Sequence, residues 1–415
     1  MKRFLLFVCI CAFLLTGCNS DELHYPETEA IVTADDGSPP VDPYGTVFTY
    51  TASEDTQNTV FQRSGYFSYG IFVVGDYLYY NNGNMLYRYN TKTGNITSAC
   101  ADPLCLHDSY DCPFFNGLSG SGAMYSGVFN NKIYYKVKEL LWDKKNHQIE
   151  GEKLHSRIYD IETQTVTESK RQYDQNGPLN LNDYCTENEE YYYSMAANED
   201  GTNWQMTLLC YDVKTQKNRV VRSVSYENPM AFFSHDEENL YYCDTVSIGK
   251  MNRQTGKKTA IYQGECSMVN GDDQYFYFFR ASDDSLWRLS REGGEPEPLE
   301  VEGVQASTFL TDNYIYYRYD NSFAAGKDGA GNILYVDGQD IWRMKKDGSE
   351  KERVFNFVES PGKMSLSRFV VIGNYIYGSW VCFDESGNKT STAAEKTLLR
   401  IDISTGEFYY IAFPK

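Results

Sequence analysis

The sequence predicts an all-β protein, specifically a β-propeller of seven blades, with six or eight as the neighbouring counts. Three observations carry that expectation. The chain holds 36 Tyr and 23 Phe against only 12 Pro, yet its mean hydropathy is −0.53. Aromatic-rich and hydrophilic together suit many half-buried strands. A two-part strand pattern recurs seven times along most of the chain, and no amphipathic helical period of any length interrupts it.

The first segment is a targeting signal. Met1-Lys2-Arg3 is basic, and Phe4 to Leu15 is an apolar run too short for a stable membrane span. Leu15-Thr16-Gly17-Cys18 follows and looks like a bacterial lipobox, so residues 1–17 are expected to be a lipoprotein signal peptide and Cys18 the lipidated residue. From 18 to 43 the chain carries acids and Pro26, Pro39, Pro40 and Pro43 without a hydrophobic period, which predicts an extended, self-repelling tether. The expected location is the extracytoplasmic face of the cell membrane, held by a lipid anchor.

Residues 44–415 are expected to form the propeller domain. Each copy opens with a polar turn and an alternating aromatic strand, first as Gly75-Asp76-Tyr77-Leu78-Tyr79-Tyr80 and last as Gly373-Asn374-Tyr375-Ile376-Tyr377-Gly378. Its second half is a strand closed by a turn, as in Leu86-Tyr87-Arg88-Tyr89-Asn90-Thr91-Lys92-Thr93-Gly94 and Leu399-Arg400-Ile401-Asp402-Ile403-Ser404-Thr405-Gly406. The anchors Leu78, Ile133, Tyr191, Leu240, Tyr275, Ile315 and Ile376 recur about 35 to 61 residues apart, the length of a four-stranded blade. Ile71 to Val74 reads as strand A of the first copy. Segment 44–70 is expected either to complete the last blade or to belong to an eighth.

The repeated Gly-Asp-x-Ile/Leu-Tyr-Tyr, Leu-Tyr-Arg and Asp-Gly or Thr-Gly elements resemble a family of bacterial lipoprotein propellers similar to the low-density-lipoprotein-receptor propeller. That family is largely a domain of unknown function. The resemblance spans about residues 66 to 412 and implies fold and location. It transfers no catalytic residue, and the receptor-type Tyr-Trp-Thr-Asp box, the sialidase Asp-box and the WD40 Trp-Asp ending are all missing.

A net charge of −19 repels phosphate backbones, which excludes nucleic acid as a partner class. No Gly-x-Ser-x-Gly elbow, His-Glu-x-x-His or P-loop is present, so no enzyme signature can be read. The compact chemical cluster is Cys100, Cys105, His107 and Cys112. Outside the membrane, two of these thiols are expected to pair as a disulfide pinning a long loop, which requires no cofactor. The alternative is a Cys3His zinc site. The remaining cysteines Cys185, Cys210, Cys243, Cys266 and Cys382 read as small buried hydrophobes.

The connections between the second and third strands swell in four copies, over 136–156, 194–207, 318–340 and 379–397. Trp142, Trp204 and Trp380 lie in or beside these insertions. Exposed aromatics there would form a stacking surface on the face that also carries the Cys/His loop. The expected function is a non-enzymatic cell-surface lipoprotein binding an extracellular ligand or protein partner such as a glycan, a peptide or an envelope protein. The rivals are an extracytoplasmic polysaccharide hydrolase or lyase using funnel carboxylates, and an assembly scaffold.

Overall fold

The computed structural model describes residues 62–63 and 71–412 apart from short internal segments, the longest being 169–183. Cys18, the signal peptide and the tether lie outside the described residues.

Alternation with period two, read with hydrophobic residues on both parities, demands a sheet buried on both sides. Strand B of the first blade meets that demand: Leu78, Tyr79 and Tyr80 are all essentially buried. The structure answers with seven antiparallel sheets, each made of consecutive strands apart from the added Gln62–Arg63 pair on the second, and no helix among the described residues. The blades span 71–98, 123–168, 184–224, 231–263, 267–298, 304–355 and 363–412. The seven-bladed propeller is therefore the fold.

Within each blade, strands B and C pair through one dry couple at the middle of the sheet. The couples are Leu78 with Tyr89, Ile133 with Tyr159, Tyr191 with Cys210, Leu240 with Met251, Phe276 with Leu289, Ile315 with Met344 and Ile376 with Ile401. The fifth anchor is thus Phe276 rather than Tyr275, one residue along. Tyr275 stays partly exposed, because the guanidinium of Arg288 stacks on its ring at 4.9 Å. The Arg of the Leu-x-Arg element repeats this contact over Tyr77, Tyr314 and Tyr375. In blades 1, 5, 6 and 7 the motif is a cross-strand cation–π pair beside the dry couple.

The turns that end the strands are equally repetitive. Asn90, Asp160, Asp212, Asn252 and Asp402 each accept, through the side-chain oxygen, backbone N–H groups two or three residues on. Four residues after each of them the chain takes a positive φ, at Gly94, Gln164, Gln216, Gly256 and Gly406. Glycine suits that conformation in three blades, and glutamine tolerates it in two.

Blade 7 is built wholly from residues 363–412, so the described chain closes the ring without lending a strand from its start. Strand A of blade 1 packs on strand A of blade 7, and the Tyr89 and Tyr377 rings meet at 5.8 Å across the closure. The described part of segment 44–70 neither completes blade 7 nor makes an eighth blade. Gln62–Arg63 instead pairs with Val128 and Gly127, on the inner edge of blade 2.

Neighbouring blades are also tied by charge. Glu189 of blade 3 accepts from Arg253 of blade 4 at 2.9 Å, from Arg219 at 3.1 Å and from the Tyr191 hydroxyl at 2.6 Å. Burial alone would raise the Glu189 carboxyl, but these hydrogen bonds outweigh it and hold the group below the ordinary carboxylate range. Its stabilisation is therefore complete above the unfolded value of about 4.3 and fades as pH falls through the lower folded value. Replacing Glu189→Gln should cost about 2 kcal/mol at pH 7. Urea unfolding at pH 7 and pH 3 should show the variant's deficit shrinking in acid; an equal deficit at both pH values would refute the assignment.

Candidate metal centre

A propeller sorts its connections by face. The A–B and C–D turns leave one rim, here called upper, and the B–C and D–A connections leave the other. The upper turns are short and alike, so the chain's individuality collects on the lower face.

Two of the swollen connections are strand, not loop. In blade 2, Lys132–Asp143 and Gln148–Asp160 stay paired from Lys132 with Asp160 out to Asp143 with Gln148. In blade 6, Tyr314–Lys327 and Ile333–Lys345 do the same. These ribbons reach about 20 Å past the blade at an ordinary strand rise. Trp142 sits near the tip of the first. Trp204 starts strand C of blade 3 opposite Ala197, and Trp380 lies on strand B of blade 7 opposite Leu366. All three backbones lie towards the lower face, while their side chains fall outside the described residues. The Asp328-Gly-Ala-Gly-Asn332 segment and His147 also lie outside them.

His155, expected in a polar loop, is instead a strand residue. Its two ring nitrogens meet Glu139 at 2.8 Å and Glu168 at 2.9 Å. The contact with His155 lowers the Glu168 carboxyl. This bracket joins strands B, C and D at the root of the blade 2 ribbon.

The Cys/His segment is the D–A connection between blades 1 and 2, and it docks by its tail. Phe114 packs edge-on against Tyr159 at 4.7 Å and lies parallel to Tyr135 at 6.3 Å. The carbonyl of Pro113 accepts from the Tyr135 hydroxyl and from Arg157, both at 2.9 Å. Phe115 bridges Met85 on blade 1. With the tail fixed in the blade interface, Cys112 is buried while Cys100, Cys105 and His107 stay half-buried.

The fold brings all four sequence-predicted residues together. The Sγ atoms of Cys100, Cys105 and Cys112 and a ring nitrogen of His107 lie within 4.8 Å of one another. His107 takes a positive φ of 57°, and its Nδ1 stands 3.4 Å from Cys112 Sγ. A tetrahedral zinc ion with ordinary bond lengths sets S···S at about 3.8 Å and S···N at about 3.5 Å. The His107–Cys112 separation is close to that spacing, all four donors lie within about 1 Å of it as an upper bound, and four donors would close the coordination sphere. The sulfurs stand as thiols, with no disulfide among the described cysteines. Burial pushes the Cys112 thiol up to about 12 and raises Cys100 as well. Thiolates here would need the charge of a bound cation, which would release protons on binding. The cluster could hold a metal.

Sequence reasoning missed the exposed apolar side chains of the lower face. Leu104 and Leu106, flanking Cys105, are 87% and 82% exposed. Leu141 on the blade 2 ribbon, Val246 in the B–C turn of blade 4 and Tyr319 at the root of the blade 6 ribbon are exposed too. Five of the seven exposed large hydrophobics described thus lie on the lower face; Tyr77 and Val220 are the others. An alternating Leu-Cys-Leu beside a polar residue was the available signal.

No family model matches the chain, and no curated protein matches it either. Solved structures that it is similar to are propellers of distant sequence. The propeller domain of the Trilobed protease from Pyrococcus furiosus, described as having an open velcro topology, is 10% identical, with 88% of this chain and 97% of that one covered and a TM-score of 0.44. An oligogalacturonate lyase in complex with manganese is 12% identical over 69% of this chain and 86% of its own, with a TM-score of 0.36. Dipeptidyl peptidase 4 from Porphyromonas gingivalis is 9% identical over 83% of this chain and 59% of its own, with a TM-score of 0.43. The likeness is one of fold.

A cation at the cluster and a disulfide in the loop respond oppositely to reagents. With the metal in place, a chelator should lower the melting temperature while mild reductant leaves it unchanged. His107→Ala should reproduce the chelator's effect, because it opens one of four positions. A silent His107→Ala together with a reductant-sensitive melting temperature would favour the disulfide.

Proposed function

We propose that this chain is a lipid-anchored, extracytoplasmic binding protein whose lower propeller face docks an extracellular peptide, glycan or envelope protein. The observation that carries the reading is the concentration of exposed apolar side chains on that face: Leu104, Leu106, Leu141, Val246 and Tyr319. Isolated exposed leucines are ordinary, but two at more than 80% exposure on a loop fixed at both ends are not. Two β-ribbons, on blades 2 and 6, rise from that face, and the backbones of Trp142, Trp204 and Trp380 stand on the same side. Flat aromatic and aliphatic groups of this kind make contact area at low entropic cost.

In this reading the Cys3His cluster holds a zinc-class cation with a structural role. Three thiolates and one imidazole leave no open position for substrate water, in contrast to a catalytic zinc. The cation fixes the hairpin of residues 100–112 so that Leu104 and Leu106 are displayed without ordering cost on binding. The lipobox ending in Cys18 and the acidic tether to 43 support placement at the outer membrane surface, with a lipoprotein propeller of the receptor-like type as the parent family. Residues 44–415 would then form the exposed domain.

Two measurements test the reading. Cys18→Ala should move the chain from the membrane fraction to the medium or periplasm, and unchanged retention would remove the anchor from the account. The purified chain, probed on peptide and glycan arrays, should give signals that Leu104→Asp with Leu106→Asp reduces at least tenfold. Tyr77→Ala, on the upper rim, should leave them unchanged. Equal loss from both variants would contradict a lower-face site.

A further inference from the structure

Two cysteines that the sequence assigns to the interior as independent small hydrophobes meet between blades 4 and 5. Cys243 ends strand B of blade 4 (Asn239–Cys243), and Cys266 stands immediately before strand A of blade 5 (Ser267–Gly271). Their Sγ atoms are 3.3 Å apart, and the Cys243 thiol is 3.2 Å from the Cys266 carbonyl. Both residues are buried, at 6% and 1% exposure, in an apolar cluster with Phe233, Ile248, Phe276, Phe278 and Leu289. The approach is set by backbone as well as by packing. The Cys266 N–H donates to the Thr245 carbonyl at 3.0 Å, and the Gly264 N–H donates to the Val246 carbonyl at 2.9 Å.

We propose that Cys243 and Cys266 form a disulfide when the chain folds in an oxidising compartment. A bond of about 2.05 Å requires the sulfurs to close by about 1.3 Å, a movement that rotation about the two Cα–Cβ bonds can supply with the backbones already held side by side. The reaction needs an oxidant, here a disulfide-bearing small molecule or oxidoreductase. The thiolate of one cysteine attacks the oxidant's disulfide, forming a mixed disulfide and releasing one thiol. The second cysteine then attacks the mixed disulfide and releases the other thiol. The pair loses two electrons and two protons, and the oxidant leaves as two thiols.

Geometry also dictates when this happens. Folded, the pair is out of reach of a dissolved reagent, and the hydrogen bond with Cys243 together with burial holds the Cys266 thiol far above its ordinary range. Oxidation therefore belongs to the partly folded chain, before blade 5 closes on blade 4, and the finished bond is shielded from reductants. The bond would tie the blade 4 B–C turn, which presents Val246, to the link that enters blade 5. The inference is independent of the metal centre and of the binding face. It divides the cysteines by environment: the half-buried triad at 100–112 is arranged for a cation, and the dry pair at 243 and 266 is arranged for a covalent bond.

The test takes the full chain through a moderate-urea step in a glutathione redox mixture with zinc present, then removes the urea. Thiols are blocked with a maleimide under denaturing, unreduced conditions before digestion and mass spectrometry. The expected result is one linked species containing Cys243 and Cys266, two hydrogens lighter than the separate peptides and converted to blocked peptides only after reduction. Maleimide on both residues, or linkage of either to another cysteine, overturns the proposal. A variant cycle guards against failed refolding. In chain isolated without reductant, Cys243→Ala, Cys266→Ala and the double variant should lower the melting temperature by similar amounts, because either single change removes the whole bond. Additive losses from the two single variants would mean two packed thiols and no bond.

Discussion

The propeller depends on a hydrogen bond made at the upper rim in six of its seven blades, among the described residues. The backbone N–H just past the residue that ends strand C, an Asx in five of these blades and Ser290 in blade 5, donates to a carbonyl in the A–B turn of the same blade. The pairs are Thr91 to Asp76, Ile161 to Asn131, Val213 to Asn188, Arg253 to Glu238, Arg291 to Gln274 and Ile403 to Asn374, all between 2.7 and 3.0 Å. Where two turns bond to each other, neither can lengthen without leaving buried polar groups unpaired. The upper rim is consequently monotonous, and insertions are tolerated only at the opposite ends of the strands. The asymmetry of faces thus follows from backbone hydrogen bonding and precedes any question of ligand.

Much of this was legible in the sequence because the constraint is local. Asp76, Asn131 and Asn374 announce turns within two residues of the strands they join, and period-two aromatics announce sheets buried on both sides. Other features were illegible for physical reasons. The ribbons at 132–160 and 314–345 read as swollen loops because charged residues such as Lys138, Glu139, Glu150 and Lys153 interrupt the hydrophobic alternation. A shift in register between Leu141 and Trp142 further hides the alternation. Tyr275 reads as an anchor because Tyr and Phe alternate without contrast there, and only the stacked Arg288 separates rim from core. Gln62–Arg63 carries no pattern that could have placed it against blade 2.

The cysteines show the same division between local and non-local information. Cys100, Cys105, His107 and Cys112 could be grouped on spacing alone, and the fold gathers all four. Spacing could not choose between a disulfide and a cation, because that choice depends on how the tail docks. Phe114 and Pro113 seat the loop on Tyr135, Arg157 and Tyr159, and this places His107 beside Cys112. Cys243 and Cys266 belong to different blades, and ring packing alone brings them into contact.

The central claim is that blade-to-blade packing builds a closed Cys3His centre which displays the apolar tip of the lower face. X-ray absorption at the zinc edge on the purified full-length chain tests this most directly. The account predicts a spectrum of three sulfur ligands at about 2.3 Å and one nitrogen at about 2.0 Å. A chain with no zinc-edge signal after exposure to the metal, or one with mostly oxygen and nitrogen ligands, would contradict it.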